Sequence, residues 1–371
     1  MFKAGYIYKR NKLELTSLTI VFPWGSIYEK PGRRGISHLM EHLITKSVDK
    51  YMDRFTNDCI DFNASTSQNY VVVYFRGLND KLTHEFKKEL VRAILNDYVN
   101  ITEKDFENEK NIVIQELLDS YEDPYEGNYI NLLYNYFDIH DPTGIPAEIA
   151  AFTYEEMMQL AKEQFSRPLR IIEVGNVKTE FEGIEYLDAI PEPAQIKFKD
   201  RKQEIYPVIN SEKVNVYVFS KIPLLKTDCP PVMVGLQMLC DGLNSPFYQE
   251  IREKRGLSYY VSADVHVVSK NGILILNACT DKEHAKELEE VFRDLCKNAA
   301  SYLTRERFDL IINQLTTMYR IRKCLRWKNV GDLIAMELPN LEEWINDGKI
   351  KYEKLVGIMQ KYFYEIEIIS K

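Results

Sequence analysis

Apolar residues repeat along this chain with two different periods, which together predict a mixed architecture of strands and helices. The segments 18–23 (LTIVFP) and 70–75 (YVVVYF) are short, rich in β-branched and aromatic residues, and typical of strands. The segments 82–98 and 102–120 have apolar residues spaced three and four apart, which is the pattern of amphipathic helices. Strands and helices are therefore expected to alternate.

The same order of segments recurs in the second half of the chain. DKLTHEFKKEL, which begins at Asp80, resembles DKEHAKELEEV, which begins at Asp281. The helical segment that follows Ile101 resembles the one that follows Leu303, and the two segments are separated by nearly the same distance in both halves. Order and spacing together predict a duplicated α+β unit.

A stretch rich in proline and charge separates the two copies. Residues 188–205, which include DAIPEPAQIKFKDRKQ, show neither period and are typical of a linker. We expect an N-terminal domain over residues 1–187, this linker, and a C-terminal domain over residues 206–371. The length of 371 residues is that of two ordinary domains.

Composition and charge narrow the class of protein. Hydrophobic residues make up 45% and charged residues 28% of the chain, as in ordinary soluble globular proteins. The net charge is −8 and no long Lys/Arg run occurs, so nucleic acid is not an expected partner. No apolar run is long enough to span a membrane, and the N-terminus lacks the pattern of a secretory signal. The six cysteines are scattered without a CxxC pair, so we expect a reducing, cytoplasmic location.

The segment 36–45 predicts an amphipathic helix with chemistry on its polar side. Its apolar residues fall at i, i+3, i+4 and i+7 and form one stripe, which consists of Ile36, Leu39, Met40 and Leu43. The residues His38, Glu41 and His42 lie on the opposite side of the helix. A merely solvated face would more often carry lysine and glutamate than two histidines.

Two histidines four residues apart on one helical face can bind a single metal ion. His38, Glu41 and His42 form the pattern His-x-x-Glu-His, the inverzincin signature of zinc peptidases. A catalytic zinc ion needs three protein ligands and one open position. The third ligand has to come from elsewhere, and the strongest candidates are Glu109 and Glu116, which lie two turns apart on the helix predicted for residues 102–120.

Three segments resemble the M16 family of zinc metallopeptidases, and the resemblance covers nearly the whole chain. GSIYEKPGRRGISHLMEHLITKS is similar to the family's zinc-helix region, FNASTSQNY to its Asn-Ala-x-Thr segment, and SPFYQEIREKRGLSYYVSA to its Arg-Glu-Lys-x-Gly-Leu-x-Tyr segment. The resemblance implies an α+β fold of two homologous α/β-sandwich domains, of the type found in mitochondrial processing peptidase. Each domain is then an antiparallel-rich sheet packed with helices.

The resemblance also implies a role for each residue of the predicted metal site. The family's third zinc ligand follows the second histidine at a similar distance along the chain, which assigns this role to Glu116 and makes Glu109 the carboxylate that orients the ligands. His38, His42 and Glu116 are then expected to hold one Zn²⁺ per chain. Glu41 is expected to be the general base, which takes a proton from water and delivers it to the leaving amine.

Further residues enter by the same resemblance. Arg252 and Tyr259 match the family pair that stabilises the oxyanion, and the adjacent Tyr260 leaves a one-residue alternative. Asn63 and Ala64 match the family's edge strand, which binds the substrate backbone by strand addition.

The activity that the resemblance implies is the hydrolysis of short or unfolded peptides by a zinc-dependent endopeptidase. In related peptidases two subunits face each other as a clamshell, and the second domain of one subunit completes the site of the other. Because this chain carries both sets of residues, a homodimer is the simplest expectation. The alternatives are a zinc-bearing subunit of a heterodimeric processing peptidase and a non-catalytic scaffold subunit. A structural zinc domain is not favoured, since the chain has no closed Cys/His tetrad.

Overall fold

The computed structural model describes residues 2–10, 12–122, 129, 134, 141–188, 212–223, 225–268, 271–322 and 340–370. These residues form two compact units, the first within residues 2–188 and the second within residues 212–370. Apart from Asp188, the predicted linker 188–205 lies outside the described residues. The domain bounds 1–187 and 206–371 therefore stay predictions.

The first unit combines six strands with helices, the first of which contains the histidine motif. In chain order it contains β1 (Phe2–Arg10), β2 (Leu15–Phe22), α1 (Ile36–Lys46), α2 (Met52–Asn57), β3 (Asp61–Thr66), β4 (Val71–Leu78), α3 (His84–Asn96), α4 (Glu103–Glu122), α5 (Pro146–Ala150), α6 (Tyr154–Phe165), β5 (Leu169–Gly175) and β6 (Ile184–Tyr186). Short 3₁₀ turns occupy Ser26–Tyr28, Asp49–Tyr51 and Asp97–Asn100.

The strands of the first unit form one mixed sheet in the order β3-β4-β2-β5-β1-β6. The pairs β3/β4, β4/β2 and β2/β5 are antiparallel, while β5/β1 and β1/β6 are parallel. The central strand β2 places Ile20 opposite Val73 on one side and opposite Ile171 on the other. All three side chains are fully buried, as expected for β-branched residues in a central strand.

The second unit has its own sheet and its own core. In chain order it contains β7 (Lys213–Ile222), α7 (Leu225–Cys240), α8 (Pro246–Tyr248), a π-helical turn (Gln249–Glu253), β8 (Ser262–Val268), β9 (Asn271–Asp281), a 3₁₀ turn (Lys282–His284), α9 (Ala285–Lys297), α10 (Ala299–Tyr302), α11 (Arg305–Arg322), α12 (Leu341–Asn346), α13 (Tyr352–Tyr364) and β10 (Glu367–Ser370). Its strands pair antiparallel in the order β10-β7-β9-β8.

One interaction is repeated in both units and supports the predicted duplication. In the first unit the Tyr154 hydroxyl donates a hydrogen bond of 2.8 Å to the carbonyl of Ile101. In the second unit the Tyr352 hydroxyl donates a hydrogen bond of 2.8 Å to the carbonyl of Leu303, the residue that the sequence comparison matches to Ile101. The predicted α+β class with two related domains is confirmed.

No helix among the described residues is both long and apolar enough to cross a lipid bilayer.

The outermost described strands β3 and β8 carry a second repeated interaction. The Ala64 N–H donates a hydrogen bond of 2.9 Å to Oδ1 of Asn63, the preceding side chain. The Val265 N–H donates a hydrogen bond of 2.7 Å to Oδ1 of Asp264 in the same way. In each unit, one backbone amide of an outermost strand is therefore occupied by the side chain next to it.

Candidate metal centre

The helix α1 that carries the histidine pair begins without a serine or threonine cap. Its N-cap residue is Gly35, so the first backbone N–H groups need another acceptor. The buried carboxylate of Glu29 supplies it, accepting hydrogen bonds of 2.8 Å from the N–H groups of Gly35 and Ser37. Burial raises the pKa of Glu29 to about 7, and these two hydrogen bonds act in the opposite direction. Glu29 thus fixes the start of α1 from a loop.

Three potential ligand atoms converge beside α1. The Oε2 atom of Glu116, on α4, lies 3.7 Å from Nε2 of His38 and 3.5 Å from Nε2 of His42. All three atoms lie within 4.8 Å of one another. His38 is only 6% exposed, whereas the side chain of Glu116 is 52% exposed. The structure therefore brings together the three predicted ligands, with an open side next to Glu116.

Each histidine is held through its other ring nitrogen. Nδ1 of His38 lies 3.2 Å from the carbonyl oxygen of Thr143, and Nδ1 of His42 lies 3.2 Å from Oε2 of Glu109. A carbonyl oxygen and a carboxylate accept hydrogen bonds, so in the neutral, metal-binding form of each ring Nδ1 carries the proton and Nε2 has the lone pair. The second oxygen of Glu109 lies 3.2 Å from Nζ of Lys46.

This donor set fits a zinc ion. Tetrahedral zinc with ligand bonds of ~2.0–2.1 Å requires ligand atoms about 3.3 Å apart, close to the observed distances from Glu116 to the two histidines. Neutral imidazoles whose Nδ1–H groups are hydrogen-bonded to a carbonyl and a carboxylate are the usual form of zinc-binding histidines. The combination of two histidines and one glutamate is that of a catalytic site rather than of a structural one.

Glu41 lies on α1 between the two histidines and has a different partner. The hydroxyl of Thr66, at the end of β3, donates a hydrogen bond of 2.5 Å to Oε2 of Glu41. Glu41 is 9% exposed, and burial raises its pKa, against the lowering effect of the Thr66 hydroxyl. Among the described residues, the Thr66 hydroxyl is thus the hydrogen-bond donor to the Glu41 carboxylate.

Electrostatics couple the histidines to the carboxylates. The hydrogen bond with His42 lowers the pKa of Glu116. Burial acts to lower the pKa of His42, but hydrogen bonds with Glu116 and Glu109 outweigh it and raise the pKa. The carboxylates thus favour positive charge at this place, which a metal cation supplies more fully than a proton.

In the second unit, Arg252 and Tyr259 lie in contact. Arg252 belongs to the π-helical turn 249–253, and its guanidinium carbon lies 4.5 Å from the centre of the Tyr259 ring and 5.0 Å from that of Tyr248. Tyr259 is 77% exposed, whereas the adjacent Tyr260 is half-buried. Contact and exposure both favour Tyr259 over Tyr260 as the partner of Arg252.

Sequence profiles of known families match both halves of the chain. The profile described as insulinase, peptidase family M16, matches residues 7–144. The profile described as the peptidase M16 inactive domain matches residues 147–315. The chain belongs to peptidase family M16.

M16 relatives cover most of the chain at low identity. An uncharacterized zinc protease of Bacillus subtilis (strain 168) is 24% identical over 377 residues, which include 93% of this chain and 90% of the relative. An uncharacterized zinc protease of Rickettsia bellii (strain RML369-C) is 20% identical over 337 residues, with 83% and 78% of the two chains covered. Zinc-protease names therefore recur among relatives that match most of this M16 chain.

Solved structures share the M16 fold along nearly the whole chain. A protease from Helicobacter pylori superposes with a TM-score of 0.80 at 17% identity, covering 98% of this chain and 96% of that one. A peptidase M16 inactive domain from Pseudomonas fluorescens superposes with a TM-score of 0.73 at 18% identity, covering 98% and 94%. At these identities the likeness supports the fold.

Four residues of this M16 site were not predicted from the sequence: Glu29, Lys46, Thr66 and Thr143. The inward orientation of Thr66 could have been predicted, since the alternation of a strand places it on the same face as Phe62 and Ala64, which pack on the core. Glu29 and Thr143 lie in loops, where no sequence pattern indicates their roles.

Proposed function

We propose that this M16 chain is a zinc-dependent endopeptidase that hydrolyses short or unfolded peptides. One observation carries the proposal: Nε2 of His38, Nε2 of His42 and a carboxylate oxygen of Glu116 converge within 4.8 Å. The tautomers imposed by Thr143 and Glu109 turn both Nε2 lone pairs to this point. One Zn²⁺ per chain binds there.

Zinc in such a site supplies a water molecule that is acidic near neutral pH and polarises the scissile carbonyl. Glu41 accepts the proton from the attacking water and donates it to the leaving amine. The Thr66 hydroxyl holds one oxygen of Glu41, so that the other faces the reacting atoms. Glu109 orients His42 and is itself fixed by Lys46.

The remaining roles concern the substrate. Arg252 and Tyr259 donate hydrogen bonds to the oxyanion that develops on the scissile carbonyl. Asn63 and Ala64 bind the substrate backbone as an added strand on β3, for which the substrate carbonyl must displace Oδ1 of Asn63 from the Ala64 N–H. We further propose a homodimeric clamshell, in which the second unit of one subunit completes the metal centre of the other.

The decisive experiment measures cleavage and zinc together. The purified chain should contain about one zinc ion and cleave an unstructured peptide a few tens of residues long, and a chelator should abolish this cleavage. Glu41→Gln should retain zinc while turnover falls by roughly 10²–10⁴-fold. Glu107→Gln is the matched control, because Glu107 lies on the same helix α4, is half exposed and forms an ion pair with Lys110, so its substitution should leave both quantities unchanged.

The name of the C-terminal family profile gives weight to one alternative. That profile is described as an inactive domain, which fits a scaffold subunit as well as the half of a peptidase that lacks the metal. A zinc-loaded chain that is inert alone but cleaves peptides with a related M16 subunit would establish the heterodimer. A chain that neither binds zinc nor cleaves would overturn the peptidase proposal.

A further inference from the structure

The Thr143 carbonyl is the partner that fixes the tautomer of His38. It lies 3.2 Å from Nδ1, on a ring that is almost wholly buried, and 105 residues separate the two positions in the chain. A backbone carbonyl cannot be replaced by mutation, so its place depends on the residues that hold the loop around it. Three sets of contacts do so.

The first set of contacts is between Thr143 and Asp141, two residues earlier in the chain. Oδ1 of Asp141 accepts a hydrogen bond of 2.9 Å from the Thr143 N–H and one of 2.7 Å from the Thr143 hydroxyl. Asp141 is buried, so this turn is not loosened by competing water. The peptide on the other side of Thr143 is then set by the next residue, Gly144.

The second contact is between two glycines. Gly144 has φ +100° and Gly35, the N-cap of α1, has φ +95°. A Cβ atom on Gly144 would lie 2.2 Å from the Cα of Gly35, which is closer than any real Cβ contact, and the atom it meets is backbone. The loop therefore lies directly on the start of α1, three residues before His38.

The third set of contacts joins Arg34, next to Gly35, to Glu148, four residues after Gly144. The Arg34 N–H donates a hydrogen bond of 2.7 Å to Oε2 of Glu148, and Arg34 Nε donates one of 2.8 Å to Oε1. The Arg34 Nη2 group also contacts this carboxylate. Arg34 precedes Gly35 and Glu148 follows Gly144, so this bidentate pair locks α5 onto the start of α1.

We infer that Gly144 is a positioning residue of the metal centre, because its contact with Gly35 places the Thr143 carbonyl on Nδ1 of His38 and so presents Nε2 to the metal. The inference rests on the proposed zinc site. Asp141 supports the same carbonyl from its other side. Loss of an outer partner of a metal-binding histidine typically weakens metal affinity by about 10–100-fold.

A pair of matched glycine variants tests this role. Gly183 belongs to the same unit and has φ +74°, but a Cβ atom on it would meet nothing within 4 Å. Gly144→Ala and Gly183→Ala therefore both place an alanine at a positive φ, and only the former also collides with α1. We expect Gly144→Ala to weaken Zn²⁺ binding about 10–100-fold in competition with a chromophoric chelator. Gly183→Ala should bind as the unchanged protein does.

A second pair serves if Gly144→Ala does not fold. Asp141→Ala removes both hydrogen bonds to Thr143 and should weaken Zn²⁺ binding, whereas Asp141→Asn keeps Oδ1 as an acceptor and should restore most of it. Equal affinity of Asp141→Ala and Asp141→Asn would show that charge or general stability, rather than the Thr143 carbonyl, is responsible, and would overturn the inference.

Imidazole ¹⁵N NMR of the zinc-free protein separates this inference from the proposed function. The chain has six histidines, so His38 can be assigned with a His38→Gln variant. We expect the Nδ1–H tautomer of His38 in the unchanged protein and in Gly183→Ala, and a tautomer mixture in Gly144→Ala. An unchanged His38 spectrum in Gly144→Ala would refute the positioning role. Failure of the unchanged protein to bind zinc would refute the proposed function, and the NMR result would then speak only for the effect of Gly144 on the His38 tautomer.

Discussion

Thr66 donates a hydrogen bond of 2.5 Å to Glu41 across the gap between β3 and α1. The donor comes from the same strand that holds Asn63 and Ala64, and the acceptor lies between the two histidines. One short strand therefore supports both the proposed general base and the proposed substrate-binding edge.

Removal of this hydroxyl should change the pH dependence of cleavage. In Thr66→Val the effect of burial on Glu41 loses the hydrogen bond that opposes it most, and only the weaker effect of the two histidines remains, so the pKa of Glu41 rises further. Because a general base must be deprotonated, the acidic limb of kcat/KM should move to higher pH, while the rate on the alkaline side of that limb changes little. Ser65→Ala, at the exposed neighbouring position, is the control, and an acidic limb shared by both variants would contradict the role of Thr66.

Glu109 should affect metal affinity through His42. Glu109→Gln removes the negative charge beside Nδ1 of His42 and the partner of Lys46. We expect Zn²⁺ affinity to fall by about 10–100-fold. Glu107→Gln, two residues away and half exposed, should leave affinity unchanged in the same chelator competition. Equal Zn²⁺ affinities of the two variants would show that Glu109 does not support the metal site.

Tyr259 and Tyr260 can be distinguished by kinetics. Loss of one oxyanion donor typically lowers kcat by roughly 10²–10³-fold, so Tyr259→Phe should do so without a comparable change in KM. Tyr260→Phe should have little effect, because Tyr259 is the residue in contact with Arg252. The reverse order of effects would assign the role to Tyr260.

Mixing two inactive variants tests the homodimer. Glu41→Gln impairs the metal-bearing unit and Tyr259→Phe impairs the other unit. If a site is completed by the partner subunit, an equal mixture that exchanges subunits should recover about a quarter of full activity, since half of the dimers are mixed and each has one intact site. A mixture that stays as inactive as its components would show that each chain completes its own site.

Glu29 should give the fold a measurable pH dependence. The folded-state pKa of about 7 lies above the ordinary value of 4.5, so the folded state binds the proton more tightly. The associated stability is complete below pH 4.5 and is lost as the pH rises through 7. Between pH 4 and pH 8 the free energy of unfolding should fall by roughly 3 kcal/mol relative to that of Glu29→Gln.

Urea unfolding of the zinc-free protein at several pH values measures this difference. The control is Glu85→Gln, since the side chain of Glu85 is 66% exposed, and its stability difference from the unchanged protein should not vary in the same way. A constant difference between Glu29→Gln and the unchanged protein would mean that Glu29 ionises normally.

The features that depend on short stretches of chain follow from the sequence. The stripe of α1 is buried as predicted, and His38 and His42 share a face because helical geometry fixes residues four apart. The correspondence between Ile101 in the first half and Leu303 in the second can also be read from the sequence, since both halves keep the same apolar pattern. The family resemblance extended this local information to Glu116, which the structure places beside both histidines.

The contacts that complete the site could not be read from the sequence. The Thr143 carbonyl is a group that every residue carries, so nothing in the sequence marks it as the partner of His38. Glu29 replaces the expected serine or threonine cap from a loop six residues earlier, and helix-start patterns do not include that arrangement. Both contacts arise from the tertiary fold.

The side chains that occupy the Ala64 and Val265 amides also bear on the behaviour of the protein in concentrated solution. An exposed strand edge with unused N–H groups is a template on which another chain can pair, and such pairing leads to aggregation. Asn63 and Asp264 each satisfy one of these donors within their own strand. An edge that is closed by a neighbouring side chain can open for an extended peptide and still resist self-association when no peptide is present.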